Sequence, residues 1–162
     1  NAGCVMTVQP VNYYVNDYKV EGTKTVTNDG RNAAGNLSFS VSVTNGKVTS
    51  PNGDYVEYAS TRTREWIEGE STTLLTNGVS GILDDVYLIT GSANGTNRDG
   101  RTFTATVTSA LRVELDCRWI TSGTFELMPQ DLKTRTIDYG TGACDNEATV
   151  SIGNRTYTVF MN

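Results

Sequence analysis

The sequence contains no histidine. That removes the side chain most used for acid–base work near neutral pH and the commonest transition-metal ligand. Ser-His-Asp and Cys-His catalysis and histidine zinc sites are thereby excluded within this chain. Cysteine is scarce, with Cys4, Cys117 and Cys144 and no CxxC pair, so neither a zinc ribbon nor a thioredoxin-like motif is available. Proline occurs only three times. No apolar run approaches the roughly 20 residues of a membrane-spanning helix. Basic residues are outnumbered, 13 against 18 acidic, for a net charge of -5. An acidic chain without Lys/Arg clusters argues against a nucleic-acid partner. SxxK and GxSxG are also missing; "GVSGI" matches the latter only superficially.

What is abundant is threonine, with serine and asparagine behind it. β-branched residues suit strands better than helices. Alternation of period two dominates. In "LSFSVSVTN", Leu37, Phe39, Val41 and Val43 share one face, and Ser38, Ser40, Ser42 and Thr44 the other. "RTFTATVTSALRVEL" repeats the pattern, with Phe103, Ala105 and Val107 opposed by Thr102, Thr104, Thr106 and Thr108. Each strand therefore has one face for a core and one for water. Strands are expected at about 4–9, 11–16, 18–28, 37–45, 55–67, 86–93, 101–115, 117–127, 133–138, 147–152 and 155–161. Asn45-Gly46 and Gly153-Asn154 read as tight hairpin turns, and Pro51–Asp54 and Asn97–Gly100 as turns by composition. Residues 68–85 lack a period and read as the longest loop, with at most one short helical turn. The expectation is one all-β domain over 1–162: an antiparallel β-sandwich or curled β-meander of about 9–11 strands with little or no helix.

Few residues suggest chemistry. In "YASTRTREW", Tyr58, Arg62, Arg64 and Trp66 fall on one face of a strand. Arginines beside aromatics can stack on sugars or grip carboxylates, which makes this a candidate ligand-binding face. The plainer reading is that their stems cover the core edge while their guanidinium groups pair with acids such as Glu57 or Asp85. Asp84-Asp85 could serve calcium or a carboxylate pair, but neighbours on a strand point to opposite sides and no EF-hand spacing is present. They read as solvated acids at a loop–strand junction. Thr-rich stretches resemble the ice-binding arrays of antifreeze solenoids but lack a fixed repeat, so an ordinary solvent face explains them better. No catalytic, cofactor-binding or metal-binding residues are assigned, and no cofactor is expected. Cys117 and Cys144 are the natural disulfide pair in an exported protein, leaving Cys4 free or paired between chains.

The segments "YYVNDYKVEGTKTVTN", "STRTREWIEG", "DDVYLITGSANGTNRDGRTFTATVTSAL", "CRWITSGTFEL" and "IDYGTGACDNEATVSIGNRTYTV" together resemble an uncharacterised family of secreted, often lipoprotein-like proteins of Flavobacteria and other Bacteroidota. The resemblance covers nearly the whole chain. It implies export, location outside the cell or on its outer surface, and an all-β fold; it carries no activity or catalytic residues. Family members have a further N-terminal segment, which this chain is expected to lack. An open sheet edge would follow, available to a strand of another copy. The expected function is accordingly a non-catalytic secreted or cell-surface structural or adhesive protein, able to form a pilus-like filament by strand exchange. Its partners would be itself, or other cell-surface proteins and glycans. The alternatives are a carbohydrate-binding or nutrient-capture module presenting Trp66, Trp119 or several tyrosines in one groove, and, least favoured, a hydrolase using carboxylates.

Overall fold

A computed structural model describes residues 1–161. The alternating pattern becomes strands β1 (Val5–Val8), β2 (Tyr13–Val15), β3 (Tyr18–Arg31), β4 (Leu37–Thr49), β5 (Tyr55–Glu68), β6 (Val86–Thr96), β7 (Thr102–Glu114), β8 (Ile120–Pro129), β9 (Arg135–Thr141), β10 (Glu147–Ile152) and β11 (Arg155–Phe160). They form one 11-stranded antiparallel sheet in the order β1-β3-β4-β5-β6-β7-β8-β9-β10-β11, with β2 continuing the β1 edge alongside β3. Of the two architectures expected, the meander is the one formed. The sheet does not close: β1 and β2 lie at one edge and β11 at the other. Strands make substantial contact only with their neighbours in this order.

One expected turn is corrected. Asn45-Gly46 does not end a strand but lies inside β4, where the register slips between Val43 and Gly46 against β5. Asn45 takes a positive φ of 51° and the chain continues to Thr49, turning at 50–54 instead. The residue types that make a tight turn also make a β-bulge, since both need a left-handed position. Asn97–Gly100 and Gly153-Asn154 do turn between strands as expected. Loop 69–85 holds two short helices, α1 (Leu74–Asn77), capped by Thr73, and α2 (Ser80–Leu83).

Further register slips occur in β3, β6, β7 and β8, several at glycines with positive φ: Gly22, Gly91 and Gly123. Bulges and glycine kinks coil a sheet and strengthen its twist. Residues from β5 to β8 converge on a trough on the apolar side, so the sheet curls toward that side.

The two faces differ sharply. The inner face carries Val41, Val43, Ile89, Leu111, Phe125, Leu127, Ile137 and Val150, brought side by side by the strand register. Most are only half-buried, because no second layer covers them; Val86, Cys117 and Ala148 are the buried hydrophobic residues. The outer face carries hydroxyls in register. One rank runs from Thr7 through Thr25, Ser42, Thr61, Ser92 and Thr106, is interrupted by Glu126, and resumes with Thr136, Ser151 and Thr156. The hydroxyls therefore do stack, although the sequence shows no repeat; in a meander the hairpin register aligns them. They lie on the face of the sheet opposite the apolar residues. Cross-strand pairs of this kind contribute about 0.2–1 kcal/mol each.

The polar side also holds an ion network. Arg112 donates through Nε to Glu114 (2.8 Å) and through Nη2 to Glu68 (2.9 Å), while the fully buried Thr121 donates its hydroxyl to Glu114 (3.0 Å). The Arg112 guanidinium, helped by Thr121, holds the Glu114 carboxyl below the usual range against a desolvation that opposes it. A carboxyl whose folded pKa is depressed stabilises the fold fully above its unfolded value and loses that contribution as pH falls through the folded one. The melting temperature should therefore decline on acidification below about pH 4.3, the ordinary glutamate value. The Glu114→Gln protein should decline less steeply over that window. Parallel melting curves against pH for the two proteins would show that the acid sensitivity arises elsewhere.

Candidate functional site

Tyr58, Arg62, Arg64 and Trp66 do share the inner face of β5, with Ser60 between them. Register sets their neighbours. Arg62 lies between Val41 and Gly91, Arg64 between Phe39 and Ile89, Trp66 between Leu37 and Tyr87. The Arg64 guanidinium lies 5.0 Å from the Phe39 ring centroid and 4.9 Å from that of Tyr87, within cation–π range of both. Trp66 packs on Tyr87 with centroids 5.7 Å apart. Burial, reinforced by donation to Asp85 (3.0 Å), pushes the Tyr87 hydroxyl up to about 12, so it stays protonated at physiological pH.

The ion pairs expected of the two arginines in the plainer reading are not formed. Glu57 pairs with Lys47 (3.2 Å), and Asp85 accepts the Tyr87 hydroxyl. Arg62 and Arg64 make no ion pair among the described residues. Glu57 points to the outer face and so cannot reach them. The buried donors Ser60 Oγ, Arg64 Nε and Trp66 Nε1 also lack a hydrogen-bond partner. Most buried polar atoms are satisfied, so a row of unsatisfied donors on one strand face needs an explanation.

Beside this row lies a trough of ≈ 270 Å³, lined mainly by Ile89, Ala105, Val107, Leu111, Ile120 and Phe125, with Arg62 at its side and Gly91 in its floor. Charge on this face has one sign. Lys24, Arg62, Arg64, Arg135 and Arg155 all occupy inner-face register positions and have no ion-pair partner among the described residues. Arg31, at the far end of β3, is neutralised by Glu70 (2.5 Å). Among the described residues, every strand carboxylate belongs to the outer face; Asp85, just ahead of β6, is buried against Tyr87. The sequence reading found Tyr58, Arg62, Arg64 and Trp66 but missed Ser60, Lys24, Arg135 and Arg155. The signal was present as cations at apolar-parity positions, such as Arg135 two residues before Ile137 and Arg155 two before Tyr157.

The tryptophans do not form one platform. Trp66 is packed as above, while Trp119 lies in the β7–β8 connection, 4.8 Å from the Arg118 guanidinium. Asp84 accepts the Thr72 hydroxyl (2.8 Å), which ties the start of loop 69–85 to its end.

Cys117 and Cys144 form a disulfide joining the β7–β8 and β9–β10 connections. The Gly- and Asp-rich segment before Cys144 is strand as far as Thr141, and the turn is residues 142–146 around Cys144. Asp138 accepts the Gly140 amide near the end of β9, where Gly140 takes a positive φ, and Asp145 accepts the Glu147 amide just beyond Cys144. Such a bridge forms and persists in an oxidising compartment. Cys4, free and exposed, precedes β1. No helix among the described residues is long and apolar enough to cross a membrane. Comparison with known proteins found no matching family model, no matching curated protein and no matching solved structure.

Proposed function

We propose that this chain is a non-catalytic structural or adhesive protein of the extracellular space or outer cell surface, assembling with copies of itself through the edges of its sheet. The observation that carries the reading is the chemistry of the two unpaired edges. Exposed Val5, Met6, Val8, Tyr13, Tyr14 and Val15 line one, and exposed Tyr157, Val159 and Phe160 the other. Edge strands are normally blunted by charge or cover; here β1 and β2 carry no charge and β11 carries only Arg155. The two edges differ, so joining one to the other on the next copy is heterologous, which builds an open fibre or a ring rather than a two-fold dimer. The accessible surface supports the same reading. At 10176 Å² it exceeds by roughly 2,300 Å² the value expected for a folded monomer of 17.6 kDa. The disulfide fits an exported protein.

Light scattering across a concentration series tests this. Growing species are expected, and the Met6→Lys/Val159→Lys double variant, which charges both edges, should remain monomeric. A wild-type protein that stays a monodisperse monomer throughout would refute assembly.

A further inference from the structure

We infer that the inner face holds a second, independent site, which binds a single apolar chain bearing an anionic headgroup, of the fatty-acid type. The chain would lie in the trough against Ile89, Val107, Leu111, Ile120 and Phe125, with the headgroup on the Arg62 guanidinium. Three features of the face converge on that class.

The trough is apolar and, at ≈ 270 Å³, falls just below the usual ligand-pocket range of about 300–1,000 Å³, which suits one chain and not a bulky ring system. One cation, Arg62, lines it, and the other charges on its face are cations as well. Arg62 is exposed and unpaired, and unpaired Lys24, Arg64, Arg135 and Arg155 share the face, in a protein whose net charge is -5. Segregating the carboxylates to the other face leaves a local positive potential that attracts an anion and repels a cation. Arginine is the side chain best matched to a carboxylate, through paired N–H donors. Finally, Ser60 is only 5% exposed and its Oγ has no partner; it stands between Val43 and Ala93, the latter a trough residue. A polar ligand atom entering beside Arg62 supplies a partner for the Ser60 hydroxyl. The same charge argues against a second copy as the occupant, because a two-fold stacking of this face on itself brings arginines together over an apolar surface.

The test is a titration of the intact protein with dodecanoate below its micellar concentration, followed by Trp fluorescence and calorimetry. Dodecanol and dodecyltrimethylammonium serve as neutral and cationic comparators, and phosphatidylglycerol vesicles as a separate arm. Saturable one-to-one binding of dodecanoate is expected, at least about tenfold tighter than of either comparator. Arg62→Gln should weaken it by about tenfold, Arg62→Lys by less, and Arg98→Gln, in the β6–β7 turn, not at all. Circular dichroism on each variant confirms that it folds. Absence of binding, equal binding of dodecanol, or indifference to Arg62→Gln would each overturn the site. So would binding to vesicles without binding to monomeric dodecanoate, which would make the face a membrane-contacting surface, or a face-to-face dimer that excludes dodecanoate. The edge-charged variant should bind dodecanoate as the wild type does, so the site and the assembly can fail separately.

Discussion

Replacing Cys117 and Cys144 together by alanine should destabilise the protein by about 3.5 kcal/mol, the chain-entropy value for closing a loop of this length. The sequence separation is 27 residues. Geometry gives the bridge more weight than its position suggests. It joins two connections at one end of a sheet that has no second layer, so it stands in for tertiary packing that other β-proteins obtain from a facing sheet. Denaturant titration of the double variant should show the loss, together with a drop in melting temperature of roughly 10 °C for a chain this long. Reduction of the wild type should reproduce both. A double variant within about 1 kcal/mol of the wild type would show that the denatured chain is not constrained by this loop.

Gly91→Val should be comparably severe, costing about 3 kcal/mol or more from backbone strain and overpacking combined. Gly91 has φ of 127°, a conformation L side chains rarely adopt, and a Cβ there would collide with the Thr61 carbonyl oxygen and the Arg62 Cα on the adjoining strand. Neither obstacle can move without breaking the β5–β6 pairing, because both belong to the backbone. Gly100 provides the comparison. It too has a positive φ, 75°, but nothing lies within reach of an added Cβ in the β6–β7 turn. Gly100→Ala should cost only about 1 kcal/mol, for the left-handed backbone alone. Thermal melts of both variants separate strain from collision. If Gly91→Val melted no lower than Gly100→Ala, the strand would not be kinked against its neighbour as described.

Much of the fold was legible because period-two alternation is a local signal. The eleven expected strand positions correspond to the eleven strands, and the Cys117–Cys144 pairing followed from chemistry. What local reasoning could not supply was register. Asn45-Gly46 looked like a hairpin because its residue types satisfy a bulge equally well, and only the close approach of Gly22 on one side and pairing with Tyr58 on the other distinguish the two. The hydroxyl ranks were hidden for the same reason: Ser42 and Thr61 become neighbours through a hairpin whose length the sequence does not announce. The candidate site was half legible. Parity put Tyr58, Arg62, Arg64 and Trp66 together, but the missing counter-ions emerged only when pairing sent Glu57 and Glu65 to the opposite face. Whether a sheet is covered is likewise a property of the whole molecule, which is why sandwich and meander could not be separated from strand patterns.

A sheet in which each strand touches only its neighbours has a mechanical consequence. With no opposing layer to shear against, tension on the two chain ends acts on the outermost strands, and each gives way before the next is loaded. Stability is then close to a sum of nearest-neighbour terms, as in a linear array. From the amino end nothing interrupts the unzipping until β7. From the carboxyl end, β11 and β10 release freely, but the covalent ring from Cys117 to Cys144 encloses β8 and β9 and keeps them from being drawn out to full length. The molecule thus yields gradually at one end and is arrested at the other, a graded response to pulling that a closed barrel does not have.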